Sequence, residues 1–399
     1  MHNQLLKVVA INGQENRLII YCFIFTKLEE KINKVIHELG SENVLINEPL
    51  SKHSHIKIGG PADLFYIAKE RADLIRAVQS AISNNVPFTV LGWGSNSLIS
   101  DEGIRGLVIK NQYKNLEVLE SDSEEEKIVE GEVGFSDARH ETWKQDPNKV
   151  YSFDDLDYEE DAENILVRVS SGYDLPLLII DLLNLGITGM QWFAGIPGTL
   201  AGAVVNNIHG GTKLFGELVD SAIIINPKSG DLAEVDSNYF QFDYDESVLH
   251  KNDDTLIDIK LKLKKGDVEK AKYVRSEWMI RKAKSQPQNS LGCTFANPPK
   301  EISDIFGFPT PSVGYFVEHV MGWKDKKKIG GASMGRGNGH AGFICNDGDA
   351  TAKDYIKIMK KVHSSYKSKT GYDLIPEIFF LGEFENDDFV KIFPNLSGF

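Results

Sequence analysis

The chain has 399 residues, 41% of them hydrophobic and 26% charged, which is enough for two or three domains with real cores and no disulfide or metal staples. Its net charge is −14, and Glu120–Glu163 alone carries 17 acidic against 4 basic residues, leaving the remainder near neutral. A basic nucleic-acid footprint is therefore absent, and an anionic ligand has to be held by local donors against the overall field.

Residues 27–39 have a helical rhythm, with Leu28, Ile32, Val35, Ile36 and Leu39 on one face. Before them, the apolar run Leu18–Phe25 is too short to span a bilayer and reads as a strand or an overextended start. Ile56–Ala62 reads as a strand running into a turn, Leu64–Ala68 as a strand and Arg71–Asn84 as an amphipathic helix with Leu74, Ala77, Val78 and Ala81 inward. Phe88–Leu91, Leu107–Ile109 and Leu116–Leu119 read as further strands. The acidic block over 120–163 then reads as a solvated surface insertion, with docking of a partner as the alternative. The pattern resumes at the strand Leu166–Val169 and the helix Leu175–Leu185. Ala222–Ile225 and Leu232–Val235 form a hairpin across Pro227–Gly230. Leu256–Leu263 alternates strictly, as an edge-type strand does. Val268–Lys284 is a charged linking helix. Beyond it lie a helix over Val313–Met321, a strand over Ala341–Ile344, a long helix over Ala350–Thr370 and a last strand over Ile375–Leu381.

The chemistry is suggested by glycines. Gly92-Trp93-Gly94-Ser95-Asn96-Ser97 follows a buried strand, and glycine there lets the backbone take positive φ and approach a ligand closely. Successive N–H groups in such a turn form an anion-binding nest, with a hydroxyl and a carboxamide as extra donors. Ser97 stands where a third glycine would complete Gly-x-Gly-x-x-Gly, which disfavours a Rossmann dinucleotide fold. A second cluster, Gly195-Ile196-Pro197-Gly198-Thr199 with Gly202-Ala203 beyond it, makes coincidence harder to sustain; taken alone it also fits a closely packed helix start. Among Cys22, Cys293 and Cys345 there is no Cys-x-x-Cys pair, and the odd count argues for a reducing compartment. No metal-ligand spacing occurs, so a metal enzyme is not expected.

In order along the chain, Ile58-Gly59-Gly60-Pro61-Ala62, Leu91–Asp101 and Gly195–Ala203 with Asn206-Asn207 closely resemble the FAD-binding domain of the UDP-N-acetylenolpyruvoylglucosamine reductases. Gly292–Pro298 resembles that family's catalytic Gly-Ser-x-Phe-Lys-Asn-Pro segment, and Gly330-Gly331-Ala332, His340–Ile344 and Pro376-Glu377-Ile378 also match. The resemblance covers roughly residues 51–384 less the acidic block. It implies an α+β architecture: a vanillyl-alcohol-oxidase (PCMH) type FAD-binding domain of two α+β subdomains over 51–266, then an α+β substrate-binding domain over 267–385. Residues 1–50 form an extension and 386–399 a tail. FAD and NADPH are the implied cofactors, with UDP-N-acetylglucosamine enolpyruvate as substrate. A soluble cytoplasmic monomer of the peptidoglycan precursor pathway is expected, with no membrane or nucleic-acid partner.

The same resemblance assigns residues. Gly59, Gly60, Gly92, Gly94, Ser95, Asn96, Ser97, Gly195, Ile196, Pro197, Gly198, Thr199, Gly202 and Ala203 belong to the flavin site. Cys293 stands at the family's proton-donating serine, and a thiol gives up a proton more easily than a hydroxyl. Glu377 stands at the family's catalytic glutamate, and beside an anionic substrate its pKa should be raised. Asn297 and Tyr244 lie in substrate segments; apart from the resemblance, Arg281 and Lys284 on the linking helix are candidates for the phosphates of substrate or NADPH, with a solvated helix face as the alternative. The departure is Asp245, where the family carries an arginine for the enolpyruvyl carboxylate; Ala296 likewise replaces a frequent lysine. The charge reversal at 245 opens three routes: another cation such as His250 or Lys251 takes over, Asp245 is protonated, or the substrate differs. Rival readings are another flavoprotein of the same fold and a non-catalytic flavin- or nucleotide-binding protein. The glycine-rich stretch Gly335–Gly339 before His340 is either a closing loop or a hairpin tip.

Overall fold

A computed structural model describes residues 29–119, 156, 158–335, 337, 339–384, 388–393 and 397–398. The Leu18–Phe25 run and most of the acidic block lie outside these residues. Among the described residues no helix is long and apolar enough to cross a membrane.

The first layer is a four-stranded sheet of β1 (Val44–Pro49), β2 (Pro61–Ala68), β3 (Phe88–Leu91) and β5 (Ile104–Asn111), in the order β1-β2-β5-β3. β5 runs parallel to both β2 and β3, and β1 is antiparallel to β2. The helix Arg71–Ser83 buries the four inward residues its spacing marked, Leu74, Ala77, Val78 and Ala81. Val35 and Leu39 of the helix over 29–39 join the same core. β4 (Ser97–Ile99) leaves this layer, as described below.

The second layer is antiparallel throughout. It contains β6 (Leu116–Leu119), β7 (Asn164–Ser170), β10 (Val219–Ile225), β11 (Leu232–Asp236) and β12 (Thr255–Lys264), in the order β11-β10-β12-β7-β6. The hairpin read from sequence is β10–β11. The edge reading of Leu256–Leu263 does not hold, because β12 is the central strand. Its alternation has another cause. One face packs Ile259, Leu261 and Leu263 into the core, while Lys260 and Lys262 on the other pair with Glu234 of β11 and Asp220 of β10. The helix Leu175–Asn184 covers the apolar face with Leu175, Leu178, Ile179, Leu182 and Leu183. The short hairpin of β8 (His209–Gly210) and β9 (Lys213–Leu214) precedes β10 in the chain.

The third layer follows the linking helix, which spans Val268–Ser285 and buries Ala271, Val274 and Trp278. Leu156 and Tyr158, at the end of the acidic block, pack against its Trp278 and against Trp192. The sheet is β13 (Ser290–Cys293), β14 (Lys328–Ile329), β15 (Ala332–Met334) and β16 (Phe343–Asn346), in the order β13-β16-β15-β14. The helix Ala352–Thr370 covers it, started by a Thr351/Asp354 capping box and ended at Gly371 with φ 75°. The expected helix over Val313–Met321 is a turn of α-helix, Val313–Tyr315, running into a π-helical segment, Phe316–Val320.

The layers are stitched by parallel pairing of β17 (Phe379–Leu381) with β4 on one side and β18 (Ser397–Gly398) on the other. Residues 56–58, read as strand, are instead a turn with Lys57 at φ 60°. Ile56 and Ile58 leave the first sheet to fill the third layer's core. Asn346, 2% exposed, holds them: its Nδ2 donates to Ile56 O at 2.9 Å, while its Oδ1 accepts from Gly348 N at 2.7 Å and Ala350 N at 3.0 Å. Asp101 adds a second stitch by accepting from Ala352 N and Lys353 N at the start of the long helix.

Asn346→Ala leaves a buried carbonyl and two N–H groups without that partner. It should destabilise the protein by about 2–4 kcal/mol. Equilibrium urea unfolding checks this, and an unchanged midpoint would mean water replaces the amide.

Candidate active site

The two glycine turns meet face to face. Ser95 Oγ donates to Pro197 O at 2.8 Å. A Cβ on Gly92 would come within 2.7 Å of Thr199 Oγ1, and one on Gly198 within 3.3 Å of Ser95 Oγ, so only glycine permits this approach. Gly94 and Gly195 take φ of 61° and 80°. Among the described residues no acceptor takes the N–H groups of Gly94, Ser95 or Asn96. Beneath the first turn the buried Lys110 donates from Nζ to Gly92 O and His53 O. Burial lowers its pKa to about 8, with Asp174 pulling the other way. Asp174 also accepts from Trp93 Nε1 and pairs with Lys114.

The remaining flavin-site candidates divide between lining and packing. Thr199 caps the short helix Leu200–Val205 by accepting from Gly202 N, and Ala203 is buried in the second layer's core beside the half-buried Ile196. Gly59 and Gly60 pack against 99–103; a Cβ on Gly60 would sit 2.1 Å from Asp101 O, and its N–H is spent on Ser100 O. Ser97 begins β4 and pairs with Phe379.

That pairing brings Glu377 to the first turn. Asn96 O accepts from Phe379 N at 2.9 Å, and Asn96 Nδ2 donates to Glu377 O at 3.2 Å and to Asn206 Oδ1 at 3.0 Å. The strand carrying Cys293 lies on the far side of Glu377. Glu377 N donates to Thr294 O at 3.1 Å and Ala296 N to Ile375 O at 2.9 Å. Gly292, at φ 84°, turns the chain just before Cys293. Cys293 and Glu377 are thus neighbours across two hydrogen-bonded segments. Burial first, then Glu377 and Asp245, pushes the Cys293 thiol up to about 12. Burial first, then Asp245, raises Glu377 to about 7, with His209 opposing. The raised carboxyl matches the sequence expectation.

Asp245 occupies the same cluster. It sits at φ 53° in the turn Asp243–Glu246, closed by Asp243 N to Glu246 O at 3.0 Å and Glu246 N to Asp243 O at 3.1 Å. Its Oδ1 is 2.9 Å from His209 Nδ1. Tyr244, 65% exposed, stacks on the His209 ring at 5.1 Å. The cations suggested from sequence proximity have their main contacts elsewhere, although the Asp245 charge does act on His250. His250 packs edge-on against Phe379 with burial lowering its pKa, and Lys251 pairs with Glu246 at 2.6 Å.

The linking helix contributes a different residue from those expected. Arg281 lies over the Trp278 ring and Lys284 is exposed. Lys282 instead reaches the site: its Cδ would be 3.2 Å from a Cβ on Gly195, and its charge acts on His209. Burial lowers its pKa to about 8. Asn297 accepts from Val313 N through Oδ1. His340 is 3.3 Å from Ser312 and accepts from Gly342 N; Arg336 and Asn338 of the glycine-rich stretch lie outside the described residues. His209 and Lys282 carried no local sequence signal, since neither sits in a motif with a charge of the opposite sign. The nearest hint was the pair Asn206-Asn207: Asn207 Nδ2 donates to Asp243 O at 2.7 Å and so fixes the turn beside the hairpin that bears His209.

Glu377 has a consequence for stability. A carboxyl whose folded-state pKa is raised from 4.5 to about 7 stabilises the fold in its protonated form, and this is lost as pH rises through about 7. Glu377→Gln cannot ionise. It should gain on the parent chain between about pH 5 and about pH 8, by up to about 3 kcal/mol. Denaturant midpoints at both pH values measure it; an equal difference at the two would place the carboxyl's pKa near normal.

The chain is similar to known proteins. Residues 284–381 match the family model described as the C-terminal domain of UDP-N-acetylenolpyruvoylglucosamine reductase. The chain is 30% identical over 357 residues to the UDP-N-acetylenolpyruvoylglucosamine reductase of Lachnoclostridium phytofermentans, covering 88% of this chain and 98% of that protein. The enzyme of the same name from Clostridium tetani is 28% identical, with 88% and 96% covered. Among solved structures, UDP-N-acetylenolpyruvylglucosamine reductase from Thermus caldophilus superposes with a TM-score of 0.58 at 22% identity, covering 84% of this chain and 97% of that one, which is a likeness of fold. With a relative matched at that identity over nearly its whole length, and with Cys293 and Glu377 set beside paired glycine turns, the chain belongs to the UDP-N-acetylenolpyruvoylglucosamine reductase family.

Proposed function

We propose that this chain catalyses the NADPH-dependent, FAD-mediated reduction of UDP-N-acetylglucosamine enolpyruvate to UDP-N-acetylmuramate, as a cytoplasmic monomer supplying peptidoglycan synthesis. The observation that carries the reading is the adjacency of a protonated thiol and a carboxyl of raised pKa at the glycine turns. We also propose that the flavin-binding part ends near 266 and the substrate part begins near 267.

The turns fit a dinucleotide. The free N–H groups of Gly94, Ser95 and Asn96 and the close-packed backbone of Gly198 suit a diphosphate, which this acidic chain has to hold by dipoles. Bound FAD, reduced by NADPH, supplies the hydride. The chain's own residues supply the proton and the field. Saturating the carbon–carbon double bond next to a carboxylate puts hydride on one carbon and proton on the other. Cys293, pushed up to about 12, keeps its proton at neutral pH and so remains a donor. The carbanion-like centre it meets is far more basic than a thiolate, so transfer runs downhill. Glu377, at about 7, is protonated in a large fraction of molecules. In that form it donates to the substrate carboxylate as charge develops there, and it avoids adding a second negative charge.

Anaerobic mixing separates the two half-reactions. NADPH should bleach the flavin of the purified protein, and the enolpyruvyl substrate should restore its colour. Cys293→Ala should leave the bleaching intact and slow the recovery by about 10²–10⁴-fold, the usual worth of a general acid. Recovery at the parent rate would place the donor elsewhere. Bleaching without any recovery in the parent chain would point to a different acceptor.

A further inference from the structure

Three groups in the site are acids: Cys293, Glu377 and Asp245, with Glu377 and Asp245 acting on Cys293 and Asp245 acting on Glu377. An enolpyruvyl ligand brings a carboxylate of its own. His209 acts on Glu377 and Lys282 acts on His209, and the two cations are differently placed. Lys282 lies against the Gly195 turn, on the dinucleotide side. His209 lies on the Asp245 side, with Nδ1 2.9 Å from the carboxylate and its ring stacked on Tyr244. Among the described residues no partner takes Nε2, and the side chain is 45% exposed. The tie from Asn207 to the turn Asp243–Glu246 fixes the distance between imidazole and carboxylate.

We propose that His209, held as the imidazolium by Asp245, is the cation that receives the carboxylate of the enolpyruvyl ligand, through Nε2–H. The proposal rests on the function proposed above. It gives the charge reversal at 245 a role: Asp245 does not meet the substrate but secures the proton on the residue that does. The pair is neutral overall where an arginine would be cationic, so binding of the carboxylate becomes dependent on pH. The groups facing His209 are Asp245 and Tyr244 from the turn, Lys282 from the linking helix and Glu377 from beside β17. The hydrogen bond to Asp245 raises its pKa most, and Glu377 adds to this; burial and Lys282 oppose, and the balance is a raised value. The imidazolium therefore persists above the usual histidine range, and carboxylate binding weakens as pH rises through that raised value. Ionisation of Glu377 acts in the same direction, so the pH profile of the parent chain alone does not identify His209.

Calorimetric titration of the FAD-loaded protein makes the distinction. UDP-N-acetylmuramate carries the carboxylate, and UDP-N-acetylglucosamine does not. At about pH 6, His209→Ala should weaken UDP-N-acetylmuramate by about 10- to 100-fold, the worth of a charge-assisted hydrogen bond, and leave UDP-N-acetylglucosamine unchanged. His209→Gln, which keeps shape and a neutral donor, should fall between and covers the case in which the alanine variant fails to fold. Asp245→Asn keeps the imidazole but not its anion, so the pH midpoint for UDP-N-acetylmuramate should move down. Equal weakening of both ligands, or no weakening of either, would overturn the role of His209. A parent chain that binds neither ligand would overturn the proposed function itself, and this inference with it.

Discussion

The structure turns on the parallel pairing of β4 with β17, two short strands separated by almost 280 residues of chain. Asn96 is the hinge of that pairing. Its carbonyl takes Phe379 N and its side chain takes Glu377 O, so the residue that ends the first glycine turn also sets the strand that delivers the carboxyl. From there the order propagates by backbone alone: Glu377 N to Thr294 O, then Thr294 N to Gly342 O. Cys293 is thereby placed by the same ladder that fixes the flavin-side turn. A shift of the third layer would move thiol and carboxyl together and away from the turns. Asn346 and Asp101, both bridging from the first layer to the third, oppose such a shift.

Electrostatics explains why the site tolerates so many acids. Buried anions in proximity suppress one another, and the result is protonation rather than charge. Cys293 and Glu377 are both raised, with burial the first cause and like charge the second. For proton delivery this is the useful state, because a donor must hold its proton until the substrate needs it. Asp245 has His209 Nδ1 as its partner at 2.9 Å.

Much of the fold was legible because its elements carry single-faced patterns. The helix Arg71–Ser83 buries the four apolar residues whose spacing marked it, with Ser80 beside them, and the long helix Ala352–Thr370 begins at a threonine and stops at a glycine. Two readings failed for reasons of tertiary packing. Ile56 and Ile58 alternate like a strand, yet the alternation puts both into a foreign core while Lys57 takes φ 60°. The alternation of β12 looked like an edge, but a central strand of an antiparallel sheet with one wet face alternates in the same way. The thiol and carboxyl of the site were legible through their flanking segments. His209 and Lys282 were not, because their meaning lies in what they face across the fold and not in their neighbours in sequence.

The motif-bearing segments also divide by physical role. In Leu91–Asp101, Gly94, Ser95 and Asn96 present donors and join the turns, whereas Asp101 at the far end accepts from the start of the helix Ala352–Thr370. In the first glycine pair, Gly60 has its N–H bonded to Ser100 O and its Cβ space filled by Asp101 O. The residues of one motif therefore do two different things: some present backbone donors at the turn, others close the layers around it. A substitution in the second class acts on the chemistry only by moving the first class. Asp245 belongs with neither: it is an acid within the cluster of Cys293 and Glu377, and the fold sets the His209 imidazole directly beside it at 2.9 Å.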